Sequence, residues 1–296
     1  MIRRVLALTL VLAVTALVVP QASVRHGDAA LVRVRTAEAV DHPTSVVWVL
    51  CLGSDARPGE RVTRSRADAI QLVGLNLDTG DGTVIGIPRD SYVEVAGGHG
   101  KINSAMSRGG PQLMAAAVSR LVGVRPDYVF TTGFLGFRAM VRAIGGVTVN
   151  SRFAFADAVR PQGYAKGRNR LNPFQALIFG RVRHPLPRGD FDRSANQQEL
   201  LRAILRKVRA HQDTPGFLER GVLAAATNLD TDLRPAQLYR LALAVTSVRP
   251  DRVEGCVVQG RAGYAGLASV VYPDVAQARR IGDDARGDGR LDKGCR

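Results

Sequence analysis

The feature that most constrains the fold is an uninterrupted apolar run, Val-Val-Trp-Val-Leu-Cys-Leu, at residues 46–52, which ends at Gly53. A strand with one solvent-exposed face alternates polar and apolar residues, so this run predicts a strand buried on both faces. A sheet that contains such a strand has to be covered on both sides. Two more strand-like segments, residues 69–77 and 83–87, are separated by turn-forming residues 78–82, which predicts a hairpin in the same sheet.

The rest of the chain supplies helices for the two sides of that sheet. Helical periodicity predicts helices at residues 111–122, 135–144, 173–182, 196–209 and 235–248. Strand-like segments occur at residues 128–132, 147–153, 253–258 and 268–271, and the last two are expected to complete the same sheet. We therefore expect an α/β fold, a three-layer α/β/α arrangement with a central mixed sheet. With 296 residues, 46% of them hydrophobic, the chain can bury a large core, which excludes disordered and fibrous proteins.

The N-terminus has the order of parts found in a secretory signal or a signal anchor. Arg3 and Arg4 precede an uncharged apolar run at residues 5–19, which Pro20 ends. A helix of this length reaches about 23 Å, whereas the hydrocarbon core of a membrane is roughly 30 Å thick. A membrane span therefore either includes residues 21–24 or tolerates a hydrophobic mismatch.

These features divide the chain into three parts. We favour an uncleaved signal anchor over residues 1–24, a linker over residues 25–44, and one extracytoplasmic domain over residues 45–296. A cleaved signal peptide is the alternative, although no clean small-x-small cleavage site follows the apolar run. The protein is therefore expected at the cell membrane, held there by a single N-terminal pass.

The chain carries 41 basic residues against 26 acidic ones, a formal charge of +15, and all but four of the basic residues are arginines. Such a charge attracts nucleic acid, anionic lipid and polymer phosphate, although a G+C-rich genome also enriches arginine. A DNA-binding regulator needs a basic recognition helix in the cytoplasm. The only strongly basic helical segment, residues 202–209, belongs to the exported domain. We therefore expect no nucleic acid partner.

Several familiar catalytic signatures are absent from the sequence. Gly100-Lys101 lacks the glycine spacing of a nucleotide-binding loop, and no Gly-x-Ser-x-Gly or His-Glu-x-x-His motif occurs. The five histidines are scattered, so no His-rich metal site is expected. Because exported proteins can oxidise cysteine pairs, Cys256 and Cys295 are predicted to form a disulfide. Cys51 lies inside the first apolar strand and is predicted to be a buried thiol.

Charged residues concentrate where the predicted strands end. Asp55 follows the first strand, and Arg66 and Asp68 precede the second. Arg89 and Asp90 follow the third strand. Open sheets place ligands at strand ends, so these side chains are expected to lie close to one another.

A second group of polar residues lies where one predicted helix ends and the next begins. Arg181 and Arg183 close the helix at residues 173–182, and Arg193 and Gln197 open the following one. The last two are four residues apart and therefore share a helix face. Arginine forks bind phosphate oxygens and carboxylates suit Mg²⁺, so the two groups together have the composition that phosphoryl transfer requires.

Short motifs also occur in a characteristic order along the chain. They are Gly-x-Asp-x-Arg at 53–57, Arg-x-Asp at 66–68, Ile-Pro-Arg-Asp at 87–90, Lys-Ile-Asn-Ser-Ala at 101–105, Gly-Gly-Pro at 109–111, Gly-Gly-Val at 145–147, Gln-Ala-Leu at 175–177, Arg-x-Arg at 181–183, Asp-x-x-Arg at 190–193 and Gln-Gln at 197–198. In this order they resemble the LytR-CpsA-Psr family of cell-envelope enzymes over residues 46–208. The departures from the family pattern are Ala67, Ala69, Pro173 and Asp192. None removes a charged site residue, but Asp192 is expected to weaken anion binding beside Arg193.

The resemblance implies a Mg²⁺-dependent phosphotransferase outside the membrane. Such an enzyme moves a glycopolymer, with its linking phosphate, from a polyprenyl-pyrophosphate carrier to peptidoglycan, as teichoic acid-, capsule- and arabinogalactan-type ligases do. By this resemblance Asp55 and Asp68 hold Mg²⁺, and Arg66 supports the cluster. The pyrophosphate is bound by Arg89, Arg181, Arg183, Arg193 and Gln197. One of the aspartates Asp55, Asp68 and Asp90 is the candidate base that deprotonates the acceptor hydroxyl, and the sequence leaves open which one.

Two other functions need the same binding groups, so the sequence leaves them open. They are hydrolysis of a polyprenyl pyrophosphate and binding of a lipid-linked precursor without catalysis. A lipid carrier also needs an apolar slot, for which two predicted helices offer a stripe each. The stripes are Leu113, Met114, Ala117, Val118 and Leu121 on one helix, and Phe134, Phe137, Met140, Val141 and Ile144 on the next. Ordinary core packing explains both stripes equally well.

Overall fold

The computed structural model describes residues 27–35, 46–217 and 229–295. Within these ranges the strands are β1 (Ala29–Arg33), β2 (Val46–Ser54), β3 (Ala67–Asn76), β4 (Gly82–Gly86), β5 (Tyr92–Val95), β6 (Gly98–Lys101), β7 (Tyr128–Thr132), β8 (Val147–Ser151), β9 (Phe155–Asp157), β10 (Arg160–Tyr164), β11 (Gly167–Leu171), β12 (Asp230–Thr231), β13 (Val253–Val257), β14 (Gly260–Ala265) and β15 (Ala268–Pro273). The α-helices are α1 (Ser104–Val122), α2 (Phe134–Ala143), α3 (Pro173–Phe179), α4 (Asp190–Arg209), α5 (Pro235–Ser247) and α6 (Val275–Ala285). Strands and helices are thus interleaved along the chain, as expected of an α/β protein.

Seven strands form the central sheet, in the order β12-β1-β7-β2-β3-β4-β13. The pairs β1/β12, β2/β7 and β4/β13 are parallel and the remaining neighbours are antiparallel, so the sheet is mixed, as predicted. The predicted hairpin is formed by β3 and β4, in which Gln71 lies opposite Gly86 and Leu75 opposite Gly82. Six of the seven residues of the apolar run in β2 are buried, as expected of a strand covered on both faces.

Helices cover the sheet on both faces because alternate side chains of a strand point to opposite sides. On one face, Leu50 of β2 shares a buried cluster with Met114 of α1 and Ile281 of α6. On the other face, Val49 shares a cluster with Leu241 of α5. The sheet therefore lies between two helical layers.

A further buried cluster, which we call the side cluster, is built from α2, α3, the strand pairs β8/β11 and β9/β10, and one side of α4. Its centre is formed by the rings of Phe155, Tyr164 and Phe179, whose centroids are 4.9 to 5.7 Å apart. Leu200 of α4 belongs to the same cluster. Because α4 also contacts β3, β4 and β13, it connects the side cluster to the central sheet.

The predicted linker is wrong at residues 29–33. These residues form β1, which pairs antiparallel with β7 and parallel with β12 inside the central sheet. The segment is only five residues long and arginines surround it, so its local pattern gives a weak strand signal. The segment forms a strand because its backbone pairs with β7 on one side and with β12 on the other. The folded domain therefore begins before residue 45, and a fragment that starts there lacks one strand of the sheet.

The last part of the chain completes the central sheet only in part. β13 forms its edge, as predicted, by pairing with β4. Residues 268–271, also expected in that sheet, belong to β15, which pairs with β14 in a separate hairpin. A single bridge between Ser91 and Val271 links this hairpin to the segment that follows β4.

The disulfide follows the prediction, whereas Cys51, which was expected to be buried, is half-buried. A disulfide joins Cys256 of β13 to Cys295, and Cys51 of β2 is free. Burial raises the pKa of the Cys51 thiol to about 12, so it stays protonated at neutral pH. The C-terminal tail is held further by Gln277 of α6, whose side-chain amide donates to the carbonyl oxygen of Cys295 at 2.7 Å.

Helix α1 starts earlier than the sequence predicts because it has two segments. Gly110 interrupts it with φ +68° and ψ −159°, a conformation that a glycine adopts without strain. Pro111 opens the second segment, where its missing N–H costs little. The helical periodicity from residue 111 therefore identified the second segment and missed the turns that begin at Ser104.

The predicted signal anchor, residues 1–24, lies outside the described residues, as does part of the predicted linker. Within residues 27–35, 46–217 and 229–295, no helix has both the length and the apolar character needed to cross a membrane. The anchor therefore stays a prediction from the sequence.

Candidate active site

Residues predicted for the site gather at one end of the central sheet. The parallel strands β2 and β7 end there, at Ser54 and Thr132, and Arg89 lies just beyond the end of β4. The antiparallel strand β3 begins at the same end, so its second residue, Asp68, lies beside the end of β2. The mixed sheet thus places residues from distant parts of the sequence within reach of one ligand.

Asp68 and Arg89 form the central ion pair of the site. One terminal nitrogen of Arg89 donates to Oδ1 of Asp68, and Arg89 Nε lies 3.8 Å from Oδ2 of Asp90. Lys101 Nζ lies 2.9 Å from Oδ1 of Asp90 and balances that second carboxylate. Burial acts to lower the pKa of Arg89, but the charges of Asp68 and Asp90 leave that pKa raised. Arg89 Nε is nevertheless buried with no hydrogen-bond partner among the described residues.

The first turns of α4 supply a second ion pair. Arg193 has a nitrogen 2.5 Å from Oδ1 of Asp190, and the same nitrogen is 3.4 Å from the carbonyl oxygen of Asp68. Burial lowers the pKa of Arg193 and Asp190 opposes that shift, but a guanidinium keeps its proton at physiological pH. Gln197 lies one turn further along α4 and donates to the carbonyl oxygen of Gly180 at 2.9 Å.

Asp192 was expected to weaken anion binding beside Arg193, and its contacts remove the basis for that expectation. Its two carboxylate oxygens accept hydrogen bonds from Arg188, at 2.9 Å from the backbone nitrogen, 3.0 Å from Nε and 2.8 Å from a terminal nitrogen. The Asp192 side chain is almost fully buried by this arrangement. Its charge is therefore balanced locally by an arginine outside the predicted site.

Arg181 and Arg183 follow α3 and differ from the two paired arginines. Neither forms an ion pair with a carboxylate in the described part of the chain. The guanidinium of Arg181 lies over the ring of Phe134 in α2, 4.3 Å from its centroid, which is a cation–π contact. Arg181 is exposed and Arg183 is half-buried, so both keep N–H donors available for a ligand.

These side chains border a cavity of about 390 Å³, which we call the transfer cavity. Its charged part is formed by Asp68, Arg89, Arg181, Arg183 and Arg193, with the neutral amide of Gln197 beside them. Its apolar part is formed by Phe134, Phe137, Ala176, Leu177, Ile178, Val182 and Leu200. The cavity therefore offers charged donors for an anion beside a surface for an apolar group.

The two apolar stripes considered for a lipid slot occupy different places. The first stripe, on α1, contributes to the main core, where the buried members are Met114, Ala117, Val118 and Leu121. In the second stripe, Phe134 and Phe137 line the transfer cavity, whereas Val141 is buried in the side cluster. Only the N-terminal half of α2 therefore contributes to the cavity.

Three predicted site residues lie outside the lining of the cavity: Asp55, Arg66 and Asp90. Asp55 follows β2, and its backbone N–H donates to the carbonyl oxygen of Arg66 at 3.0 Å. The side chains of these two residues also meet, with Nε of Arg66 at 3.2 Å from Oδ2 of Asp55. Asp55 is thus held next to the strand end that carries Asp68.

Mg²⁺ was expected at Asp55 and Asp68, and carboxylate oxygens are the kind of ligand that suits that ion. Each of them contacts an arginine through one oxygen, Oδ2 of Asp55 and Oδ1 of Asp68, and the second oxygen has no partner among the described residues. No group of three or more His, Cys, Asp or Glu residues that could hold a metal occurs in the described ranges. Two carboxylates from neighbouring strand ends, completed by water and phosphate oxygens, form a usual ligand set for Mg²⁺.

The structure adds residues that the sequence analysis did not assign to the site. Asp190, which appeared only as part of a motif, is the ion-pair partner of a site arginine. Gln71 of β3 donates to Oε1 of Gln197 at 3.1 Å. A polar residue inside an apolar strand was a signal that could have identified Gln71. The cavity is also lined by Asp157, Val159 and His184.

The structure is thus that of a mixed α/β protein with a cavity whose lining is partly charged and partly apolar. The model of the LytR_cpsA_psr family matches residues 16–283, and the chain belongs to that family. The resemblance drawn from the ordered motifs is therefore confirmed.

Known relatives share both sequence and fold with this chain. The polyisoprenyl-teichoic acid–peptidoglycan teichoic acid transferase TagU of Bacillus cereus is 31% identical over 206 residues, which cover 69% of this chain and 66% of TagU. The chain thus spans slightly less than two thirds of the length of this relative. The structure of Lin1025 from Listeria innocua is 28% identical with a TM-score of 0.63, covering 83% of this chain and 99% of Lin1025. The structure of TagT bound to LIIa-WTA is 25% identical with a TM-score of 0.68, covering 86% of this chain and 94% of TagT.

Proposed function

We propose that this chain transfers a glycopolymer, with its linking phosphate, from a polyprenyl-pyrophosphate carrier to peptidoglycan. The relative TagU is a transferase of teichoic acid between a polyisoprenyl carrier and peptidoglycan, which supports this reaction class. Teichoic acid-, capsule- and arabinogalactan-type polymers are the candidate glycopolymers. The enzyme acts outside the cell membrane, to which residues 1–24 anchor it, and it has no nucleic acid partner.

The observation that carries this proposal is the division of one cavity into a charged part and an apolar part. A polyprenyl-pyrophosphate glycan has the same division, because its anionic pyrophosphate is attached to an apolar chain. Arg183 and the other cavity arginines bind the pyrophosphate, while Phe134 and Phe137 contact the first isoprene units. Binding of DNA would not require the apolar part of this cavity.

The proposed reaction is an attack by a hydroxyl oxygen of peptidoglycan on the phosphorus that bears the glycan. The bond between that phosphorus and the bridging oxygen breaks, and polyprenyl phosphate leaves with the electron pair. The new phosphodiester bond joins the glycopolymer to peptidoglycan. The hydroxyl proton passes to one of the site aspartates, Asp55, Asp68 or Asp90.

The arginines stabilise the charge that develops as polyprenyl phosphate leaves. A guanidinium binds two phosphate oxygens at once and keeps its charge. Arg89 and Arg193 are held by Asp68 and Asp190, so they offer fixed positive charge. Preorganised charge of this kind lowers the barrier because it needs no rearrangement during the reaction.

We further propose that Asp55 and Asp68 would hold Mg²⁺, since each carboxylate keeps one oxygen free of arginine contact. The ion, when bound, neutralises charge on the phosphate oxygens. Arg66 positions Asp55 through their ion pair. Asp90, itself held by Lys101, helps to orient Arg89.

The test is the release of polyprenyl phosphate from a lipid-linked glycan, measured with and without a peptidoglycan acceptor across a Mg²⁺ series. Arg183→Ala removes a charge-assisted hydrogen-bond donor, so precursor binding should weaken by about one to two orders of magnitude. Added Mg²⁺ should not restore it. Asp68→Asn keeps the shape but removes a ligand charge, so turnover should fall steeply and the Mg²⁺ requirement should rise.

Arg261→Ala is the matched control, because Arg261 is an exposed arginine of β14 that does not line the cavity. It should behave like the wild type. Full activity in both Arg183→Ala and Asp68→Asn would contradict the proposed site. Release by the wild type that does not depend on the acceptor would instead identify the protein as a hydrolase.

A further inference from the structure

A second cavity lies at the other end of α2 and α3, and we call it the arginine cleft. It is an open cleft of about 640 Å³, lined by the end of α2, the glycine turn that follows it, the end of β11 and the start of α3. The helices α2 and α3 also line the transfer cavity, through different residues. The two cavities are therefore neighbours that share their walls.

The arginine cleft is strongly basic. Arg138 and Arg142 occupy successive turns of α2, and Arg170 extends from β11. No acidic residue lines the cleft, and none of these arginines pairs with a carboxylate in the described ranges. Arg138 Nε is buried and has no hydrogen-bond partner among the described residues. The positive charge of the three arginines is therefore not balanced by a carboxylate in the cleft, which favours an anionic ligand.

Asn172 and Gln175 add further donors to the cleft without adding free acceptors. Oδ1 of Asn172 accepts from the backbone N–H of Gln175 at 2.9 Å, and Oε1 of Gln175 accepts from the backbone N–H of Asn172 at 3.1 Å. This reciprocal cap of α3 occupies the oxygen of each side-chain amide. Only the NH₂ groups remain available, so the side chains around the cleft offer donors to a ligand. An oxyanion is the matching ligand.

The cleft also has an apolar surface, which the ring of Phe174 provides. Phe174 is 43% exposed, and the guanidinium of Arg138 lies 5.8 Å from the centroid of its ring. An exposed aromatic face beside hydrogen-bond donors suits a sugar that carries a charged group. Phe134 in the transfer cavity and Arg142 in the cleft lie on the same helix, about 12 Å apart along its axis. A glycan strand of a few sugars can reach both.

We propose that the arginine cleft binds a phosphate or carboxylate group of a glycan strand whose reacting end lies in the transfer cavity. This inference rests on the proposed function in one respect, namely that a glycan is the ligand. Two strands carry suitable oxyanions: the transferred polymer through its phosphates, and peptidoglycan through the carboxylates of its peptides. The cleft is thus a second anion-binding subsite that holds a strand while its end reacts.

The test measures binding of two soluble probes by calorimetry at physiological salt concentration. One probe is a glycan oligomer with phosphates and no carboxylates, and the other is a peptidoglycan strand with carboxylates and no phosphates. Arg142→Gln combined with Arg170→Gln removes two exposed charges from the cleft. We expect the double variant to bind at least one probe about tenfold or more weakly. The probe that responds identifies the strand.

Arg168→Gln is the matched control, since it removes the same charge from the same strand, β11, outside the lining of the cleft. It should bind both probes within about twofold of the wild type. Phe174→Ala should weaken binding of the responding glycan and leave binding of inorganic phosphate unchanged. Thermal unfolding of each variant checks that the fold is retained.

Two results would overturn the proposal. If Arg168→Gln weakens binding as much as the double variant does, the probe is attracted by the net positive charge of the protein and not by the cleft. If neither probe distinguishes the double variant from the wild type, the cleft does not bind either strand. The proposed function is tested by a separate assay, the release of polyprenyl phosphate by the wild type. If the wild type releases polyprenyl phosphate but the double variant binds both probes as well as the wild type, only this inference is rejected. If the wild type is inactive but the double variant binds a probe more weakly, only the proposed reaction is rejected.

Discussion

The four arginines of the transfer cavity fall into two pairs with different surroundings. Arg89 and Arg193 form ion pairs with carboxylates, and their side chains are 21% and 7% exposed. Arg181, which is exposed, and Arg183, which is half-buried, lack such partners among the described residues. A buried guanidinium needs a carboxylate because an unpaired buried charge is costly. An arginine at the surface has no such need. The difference indicates that the first pair fixes the shape of the site, while the second pair is available to the ligand.

The largest expected effect tests the structural role of the buried pair. Arg193→Ala leaves Asp190, which is only 14% exposed, without its partner, so the free energy of unfolding should fall by about 3 kcal/mol or more. Urea denaturation measures this loss. The double variant Arg193→Ala with Asp190→Asn removes the unpaired charge and should recover part of the stability. A single variant as stable as the wild type would show that the ion pair does not hold the site together.

A smaller effect is expected at the unpaired arginines, and in binding rather than in stability. Arg181→Ala should lower the affinity for inorganic pyrophosphate by about tenfold, because one charge-assisted donor is lost. The free energy of unfolding should change by less than about 0.5 kcal/mol, since no buried carboxylate is left unpaired. Calorimetric titration and urea denaturation of the same protein sample measure the two quantities. If Arg181→Ala loses as much stability as Arg193→Ala, the two pairs of arginines do not differ in their contribution to stability.

The sequence predicted the elements that build the charged part of the site. The apolar runs of β2, β3 and β4 are strong local signals, and their ends position Asp68 and Arg89. The ion-pair partners were less predictable. The spacings of Asp190 with Arg193 and of Arg188 with Asp192 allow both pairs. Because several arginines lie within the same reach, the sequence does not show which arginine pairs with which aspartate.

The apolar part of the site shows the limit of periodicity more clearly. The stripes on α1 and α2 look alike in sequence, yet one packs in the main core and the other partly lines the transfer cavity. Periodicity shows that a helix has an apolar face, not what covers that face. The same limit explains β1 and the small pairs β9/β10 and β14/β15, which are short and gain their stability from neighbours distant in sequence.

The smallest expected effect concerns a third kind of ion pair, exposed and outside the cavity. Arg66 is 66% exposed and pairs with Asp55, so Arg66→Ala should change the free energy of unfolding by less than about 1 kcal/mol. Affinity for inorganic pyrophosphate should also stay close to that of the wild type, because Arg66 does not line the cavity. If the pair positions Asp55 for Mg²⁺, the concentration of Mg²⁺ that gives half-maximal activity should nevertheless rise, and it should rise further in Asp55→Asn. If Arg66→Ala keeps the wild-type Mg²⁺ requirement, the ion pair does not position Asp55 for Mg²⁺. If Arg66→Ala loses much of its affinity for pyrophosphate, Arg66 belongs with the ligand-binding arginines instead.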